Sequence, residues 1–248
     1  MSAFELNELG QPIGLRVHHW QSPTLPSFPA LEGFGCRIEP LSLAHAPDLH
    51  EAFLLDREHR MWTYLSIGPF PQLADFQHWI THSDQYEATQ FYAIIDMQSG
   101  KALGFASYLR MDPAEGCIEV GWLTYSPLLQ QSRLATAAMY LMMEHAFSIG
   151  YRRYEWKCNA LNAPSRRAAA RLGFSYEGTF RQARVDRGRN RDTAWFSILD
   201  SEWPALQRVF QSWLADDNFS PEGKQRTSLS TFTRPLVTAW YPGDKPGD

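Results

Sequence analysis

A strand-like run at 117–124, Cys-Ile-Glu-Val-Gly-Trp-Leu-Thr, enters the turn Ser126-Pro127-Leu128-Leu129-Gln130-Gln131-Ser132-Arg133, and an amphipathic segment at 134–149 leaves it. This junction constrains the chain most, because it aims the free amides of a helix's first turn at whatever sits above the end of the strand. Unpaired N–H groups and the helix dipole both favour an anion there.

The bulk properties narrow the class. With 248 residues, 44% of them hydrophobic and 14% aromatic, the chain holds enough apolar material for one substantial core. A net charge of -4 gives no global attraction to nucleic acid or to an anionic membrane. Cys36, Cys117 and Cys158 are too scattered for a disulfide framework or a metal knuckle and suit a reducing compartment. The first thirty residues lack the basic start and apolar run of a signal peptide, and no later window approaches the roughly 20 apolar residues of a membrane helix. A cytoplasmic protein is expected.

Taken in order, residues 1–34 read as an extended arm rich in turn formers. A first strand near 36–41 precedes a helix carrying Leu49, Ala52 and Phe53 on one face. The loop at 61–72 is aromatic but broken by Gly68, Pro69 and Pro71. The next helix, 73–83, places Phe76, Trp79 and Ile80 on one stripe and His78 and His82 one turn apart. Two histidines without a third ligand read as a solvated face, and no metal site is expected.

Strands at 90–96, 102–110 and 117–124, joined by short turns, make an antiparallel meander. After the central helix, a strand at 151–158 puts Tyr154, Trp156 and Cys158 on one side. A helix capped by Asn162 stops at Gly173. Strands at 174–181 and 193–199 and a helix at 202–214 complete the pattern; the tail 216–248 shows none. The fold class is α+β, with a mixed, mostly antiparallel sheet flanked by helices.

That order, together with Val120-Gly121-Trp122, Ser126-Pro127, Ala135-Thr136, Glu144-His145-Ala146-Phe147, Asn159, Asn162-Ala-Pro-Ser165, Leu172-Gly-Phe174, Glu177-Gly178 and Arg191-Asp192-Thr193, resembles the GNAT superfamily of N-acetyltransferases. Within it the likeness is to the branch that includes the ribosomal-protein N-terminal acetyltransferases. The resemblance covers 35–215. It implies transfer of an acetyl group from acetyl-CoA to a primary amine, of a small molecule or a peptide N-terminus, by direct attack in a ternary complex. The alternative it leaves open is a non-catalytic acyl-CoA sensor with the same fold.

The resemblance also implies a site. Trp122, Leu123 and Thr124 would lie against the pantetheine arm, with Asn162 as a hydrogen-bonding partner. Family members place a glycine-containing pyrophosphate loop where this chain has Gln130, Gln131, Ser132, Arg133, Leu134, Ala135 and Thr136, so Arg133 stands at the usual central glycine. Its side chain either pairs with the pyrophosphate or points to solvent, unless the cofactor site is degraded. Arg166, Arg167 or Arg171 would hold nucleotide phosphates, a simpler account of the basic run than RNA binding.

Ser165 is expected either to protonate the departing thiolate or only to occupy the first turn of its helix. Glu177 is the implied base, or else an exposed strand residue paired with an arginine; Glu119 is its rival. Acceptor contacts are expected from Trp62, Tyr64, Phe70 and Trp79, with Met61 and Phe76 beside them, each of which also reads as core. Arm and tail, with Trp20, Phe232 and Trp240 as anchors, would pack on the domain or on the other subunit of a homodimer.

Overall fold

The computed structural model describes residues 4–86 and 88–244, so the outermost residues of the expected arm and tail, 1–3 and 245–248, lie outside the described residues. The arm begins with a two-stranded ribbon of β1 (Glu5–Leu6) and β2 (Pro12–Ile13). Its last stretch, β3 (Leu31–Gly33), pairs with β4 (Cys36–Pro40) and so forms one edge of the main sheet. β5 (Gln90–Asp96), β6 (Ala102–Asp112) and β7 (Cys117–Tyr125) are the meander. β8 (Arg153–Asn159), β9 (Ser175–Asp186) and β10 (Arg189–Leu199) follow.

The eight strands lie in the order β3-β4-β5-β6-β7-β8-β10-β9, and only β7 and β8 run parallel. A parallel neighbour demands a crossover, and helix α3 (Arg133–Ser148) supplies it. Side-chain alternation splits the interior in two. Tyr92, Ile94, Ala106 and Tyr108 face a large cluster with α3, α4 (Ala163–Arg171) and α5 (Trp203–Leu214). Phe91 and Phe105, on the opposite face, join Leu49 and Phe53 of α1 (Ala46–Phe53) and Phe76 and Trp79 of α2 (Leu73–Thr81). Trp203, Leu206, Phe210 and Trp213 give α5 a fully buried stripe, each side chain stabilising by roughly 1.5–3 kcal/mol.

α4 ends where the sequence says it should. Gly173 takes φ +94, and a Cβ there would meet Leu206 Cδ2 at 2.4 Å. The β9–β10 hairpin is longer than the alternation predicts. It runs on to a two-residue turn in which Arg187 and Gly188 both have positive φ, 48 and 72. Its outer half is largely exposed and polar, which leaves no period-two signal to read.

The tail is structured despite its lack of pattern. Leu229 and Thr233 of α6 (Leu229–Thr233) are fully buried, and Tyr176 N–H donates to Ala239 O at 2.9 Å. Single buried residues on so short a helix carry no period. Among the described residues no helix is long and apolar enough to cross a membrane.

Candidate active site

β7 and β8 pair only from Cys117↔Arg153 to Val120↔Trp156, after which both strands continue unpaired with each other. The cause lies on the other side of β7. Phe105 faces Thr124 and Ser107 faces Gly121, so β7 carries one extra residue in this interval, and Trp122 sits at φ +51. Such a bulge bends its strand and leaves the added residue out of the ladder. Ser107 Oγ donates to Gly121 O at 3.2 Å, and Thr124 Oγ1 to Trp122 O at 3.0 Å, which fixes the bulge. A cavity of about 580 Å³ opens between the strands, with Trp122 and Leu123 on one wall and Lys157, Asn159, Asn162 and Ser165 on the other.

Asn162 caps α4 by accepting Ser165 N–H at 3.2 Å. Ser165 Oγ accepts from Trp156 Nε1 at 3.1 Å, and its own proton lies within hydrogen-bond reach of the Cys158 thiol. Capping and a place in the cavity therefore coexist at both residues.

The turn into α3 is well tied. Gln130 Nε2 donates to Tyr125 O at 2.8 Å, Gln131 takes φ +57, and Ser132 Oγ accepts Ala135 N–H at 3.0 Å as the N-cap. Leu134 and Ala135 pack partly against the main core. Arg133 follows neither course expected for it. Its guanidinium lies 4.4 Å from the centre of the Phe219 ring, donates to Leu214 O at the end of α5, and meets Asp216 Oδ1 at 2.8 Å. The side chain is thus drawn to the orphan carbonyls of α5 and the tail, and the backbone of the turn stays clear of it.

Of the three arginines expected at the phosphates, Arg166 is occupied. It pairs with Asp244 at 2.8 Å, donates to Ala160 O and lies against Tyr241. Arg167 is exposed. Arg171 reaches the first turn of α3, where it donates to Thr136 Oγ1 at 3.1 Å; burial lowers its pKa, and it makes no ion pair among the described residues.

The two glutamates separate cleanly. Glu177 lies off the cavity wall, held by both guanidinium nitrogens of Arg153 and by Ser197 Oγ at 2.8 Å. The Arg153 hydrogen bonds hold its carboxyl below the usual range, against the upward effect of burial. This is the arginine-paired strand residue; cations hold both carboxylates, and what separates the two is that Glu177 stands off the cavity while Glu119 lines it.

Glu119 is 3% exposed and lines the cavity. Arg110 at 2.6 Å and Lys157 at 3.0 Å both meet its Oε2. Lys157 also meets Glu155 at 2.6 Å, and Glu155 meets Arg153 at 2.7 Å. A row of alternating charge thus crosses the sheet from β6 to β9.

The aromatic acceptor set is mostly core. Trp62 and Trp79 are buried and Phe70 packs edge-on to Trp62, while Met61 and Phe76 belong to the same cluster; only Tyr64 reaches the cavity. Tyr64 Oη donates to Leu161 O at 3.1 Å. The β9–β10 turn closes on the same loop, with Arg187 donating to Ile67 O and Gly68 O at 3.1 Å each.

Sequence reasoning gave no site role to Lys157 or to the inward row Arg191, Thr193 and Trp195 of β10, all on the cavity wall. The alternation 191, 193, 195 was the available signal, hidden by its mixed chemistry.

Comparison with known proteins agrees with this geometry. The profile of the acetyltransferase (GNAT) domain matches residues 36–175. A GCN5-related N-acetyltransferase from Brucella melitensis is similar at 42% identity and TM-score 0.84, over 88% of this chain and 100% of that one. A GNAT-family structure from Chromobacterium violaceum is similar at 40% identity and TM-score 0.73, over 79% and 98%. RimJ from Mycobacterium smegmatis, in complex with CoA-disulfide, shares the fold at 19% identity and TM-score 0.60, over 75% and 93%. Among curated proteins nothing matches.

Proposed function

The chain belongs to the GNAT acetyltransferase family, and on that premise we propose that it acetylates a primary amine, of a small molecule or a peptide N-terminus, by direct attack within a ternary complex. Acetyl-CoA, the donor the family uses, supplies the acetyl thioester. The observation that carries the reading is the parting of β7 from β8 at the Trp122 bulge, over a cavity that also takes in Asn162, Ser165 and Glu119.

The residues fit the donor in three places. The bulge at Trp122 and Leu123 offers backbone outside the ladder to the pantetheine arm, with Asn162 across the gap. The first turn of α3, flanked by Arg171, suits the pyrophosphate, since Arg133 is turned aside and lends only its amide. Ser165 is the donor for the departing sulfur.

An attacking amine must first be neutral, and amines of this kind titrate near about 8 to 10.4. Oε1 of Glu119 is the acceptor for that proton, directly or through water, while Arg110 and Lys157 hold Oε2 and fix the carboxylate's orientation. The non-catalytic sensor reading rests on Arg133 in place of the glycine, and that side chain is engaged by α5 and the tail. Initial rates measured over a grid of acetyl-CoA and amine concentrations test the mechanism. Intersecting double-reciprocal lines are expected, and parallel lines would contradict direct transfer.

A further inference from the structure

On β10, Arg191, Thr193 and Trp195 sit at alternate positions and line the cavity. Each holds a buried polar atom without a partner in the protein: Arg191 Nε, Thr193 Oγ1 and Trp195 Nε1. Thr193 is 7% exposed, and the Arg191 side chain 13%. Each such orphan costs about 1–3 kcal/mol; Tyr125, Ser126, Arg133, His145, Tyr151 and Tyr154 also hold one, but none of these lines the cavity, whereas the β10 three line it at alternate positions and call for a shared explanation.

The chemistry of the row is one-sided. Arg Nε–H and indole N–H only donate, and the threonine hydroxyl can donate; a ligand that matches all three must offer acceptor oxygens. Charge points the same way. Among the described residues, Arg110, Lys157, Arg184 and Arg191 line the cavity with one acid, Glu119. Lys157 is neutralised between Glu119 and Glu155 and lies 3.6 Å from the centre of the Trp195 ring. Arg191 has only Asp186, at a long 3.8 Å, and burial lowers its pKa, as for a cation lacking full compensation. Arg184 adds a second cation near the mouth.

We propose that the β10 row Arg191-Thr193-Trp195 is a carboxylate-recognition strip, and that the acceptor is a small primary amine bearing a carboxylate. This rests on the acetylation reading and deepens it. The amine end meets Glu119 while the carboxylate lies along β10. The acceptor's N–C bond forms as the thioester C–S bond breaks, and the proton lost by the amine is balanced by the one gained by the released thiol. Free amino acids, rather than a polyamine or an alkylamine, fit this division of charge.

The test is thiol release from acetyl-CoA by the full chain, using matched pairs in which a methyl replaces the carboxylate: glycine with ethylamine, 4-aminobutyrate with butylamine, 6-aminohexanoate with hexylamine. The carboxylate member of at least one pair is expected to win in kcat/KM by tenfold or more, on the order expected when polar groups in a site are matched or left unpaired. Arg191→Met and Thr193→Val should each shrink that ratio. Equal rates within every pair, or variants that lower both members in equal proportion, would overturn the strip while leaving acetylation standing. Absence of amine-dependent release with every compound, and with a peptide bearing a free N-terminus, would overturn both.

Discussion

The turn that opens α3 and the inward face of β10 both present hydrogen-bond donors, and they differ in how far the protein satisfies them itself. At the turn, Ser132 Oγ takes up Ala135 N–H, Arg133 gives its Nη2 to Leu214 and Asp216 and keeps one unpartnered atom, its buried Nε, and Arg171 leans on Thr136. On β10 three buried donors stay open in a row. The contrast separates two ways of building a binding surface. On the proposed reading, a backbone-built anion site tolerates changes in its side chains, so an arginine can stand where the resemblance implies a glycine. A side-chain-built site stores its specificity in groups that are uncomfortable until a ligand arrives.

Between the two regions lies Glu119, and the largest effect is expected there. Glu119→Gln should lower kcat by about 100-fold or more with the KM for acetyl-CoA little changed, as steady-state kinetics would read, because a neutral amide cannot take the proton. Arg171→Met comes next. Loss of a charge-assisted phosphate contact of about 1.5–3 kcal/mol should raise the dissociation constant of acetyl-CoA tenfold or more in calorimetric titration. If affinity holds, the pyrophosphate lies elsewhere than the first turn of α3.

Arg133→Gly sharpens the contrast from the other side. It restores the residue common in the family, yet it removes the ring contact with Phe219 and the cap on α5, so stability should fall by about 2 kcal/mol in denaturant unfolding while affinity for acetyl-CoA stays within about twofold. Thr193→Val carries the opposite sign. It deletes an unmatched buried hydroxyl at nearly constant shape, and should stabilise the unliganded protein by about 1 kcal/mol.

The smallest effect concerns Glu177. Folding lowers its pKa through the Arg153 pair, so the pairing supports the fold above the unfolded carboxylate's ordinary value of 4.5 and fades as pH falls through that value toward the lowered one. Glu177→Gln should therefore reduce Tm by a few degrees at neutral pH and by less in acid, leaving turnover in place.

Most of the framework could be read from the chain, and the reasons are local. Alternation in β5 to β8, the Asn162 cap and the Gly173 stop are written within single elements and follow elementary rules. The caps Ser132 and Asn162 were legible for the same reason, since they stand at helix starts, whereas the bulge at Trp122 lies inside β7 and leaves no local signal. What stayed hidden depends on contacts across long sequence distances. Arg133 is 81 residues from Leu214, and Arg166 is 78 from Asp244. Glu177 was open between the implied base and an arginine-paired strand residue, and its partner Arg153 lies 24 residues away on another strand. The aromatic residues of the 61–80 segment were chosen for composition, which does not distinguish Tyr64 on the cavity from Trp62 in the core.

The central claim, that amine acetylation occurs where β7 and β8 part, is tested most directly by following thiol release from acetyl-CoA with and without a primary amine, for the wild type and Glu119→Gln side by side. The account predicts release that depends on the amine and falls by about 100-fold in the variant. Acetyl-CoA binding with no amine-dependent release, or equal turnover by the two proteins, would contradict it.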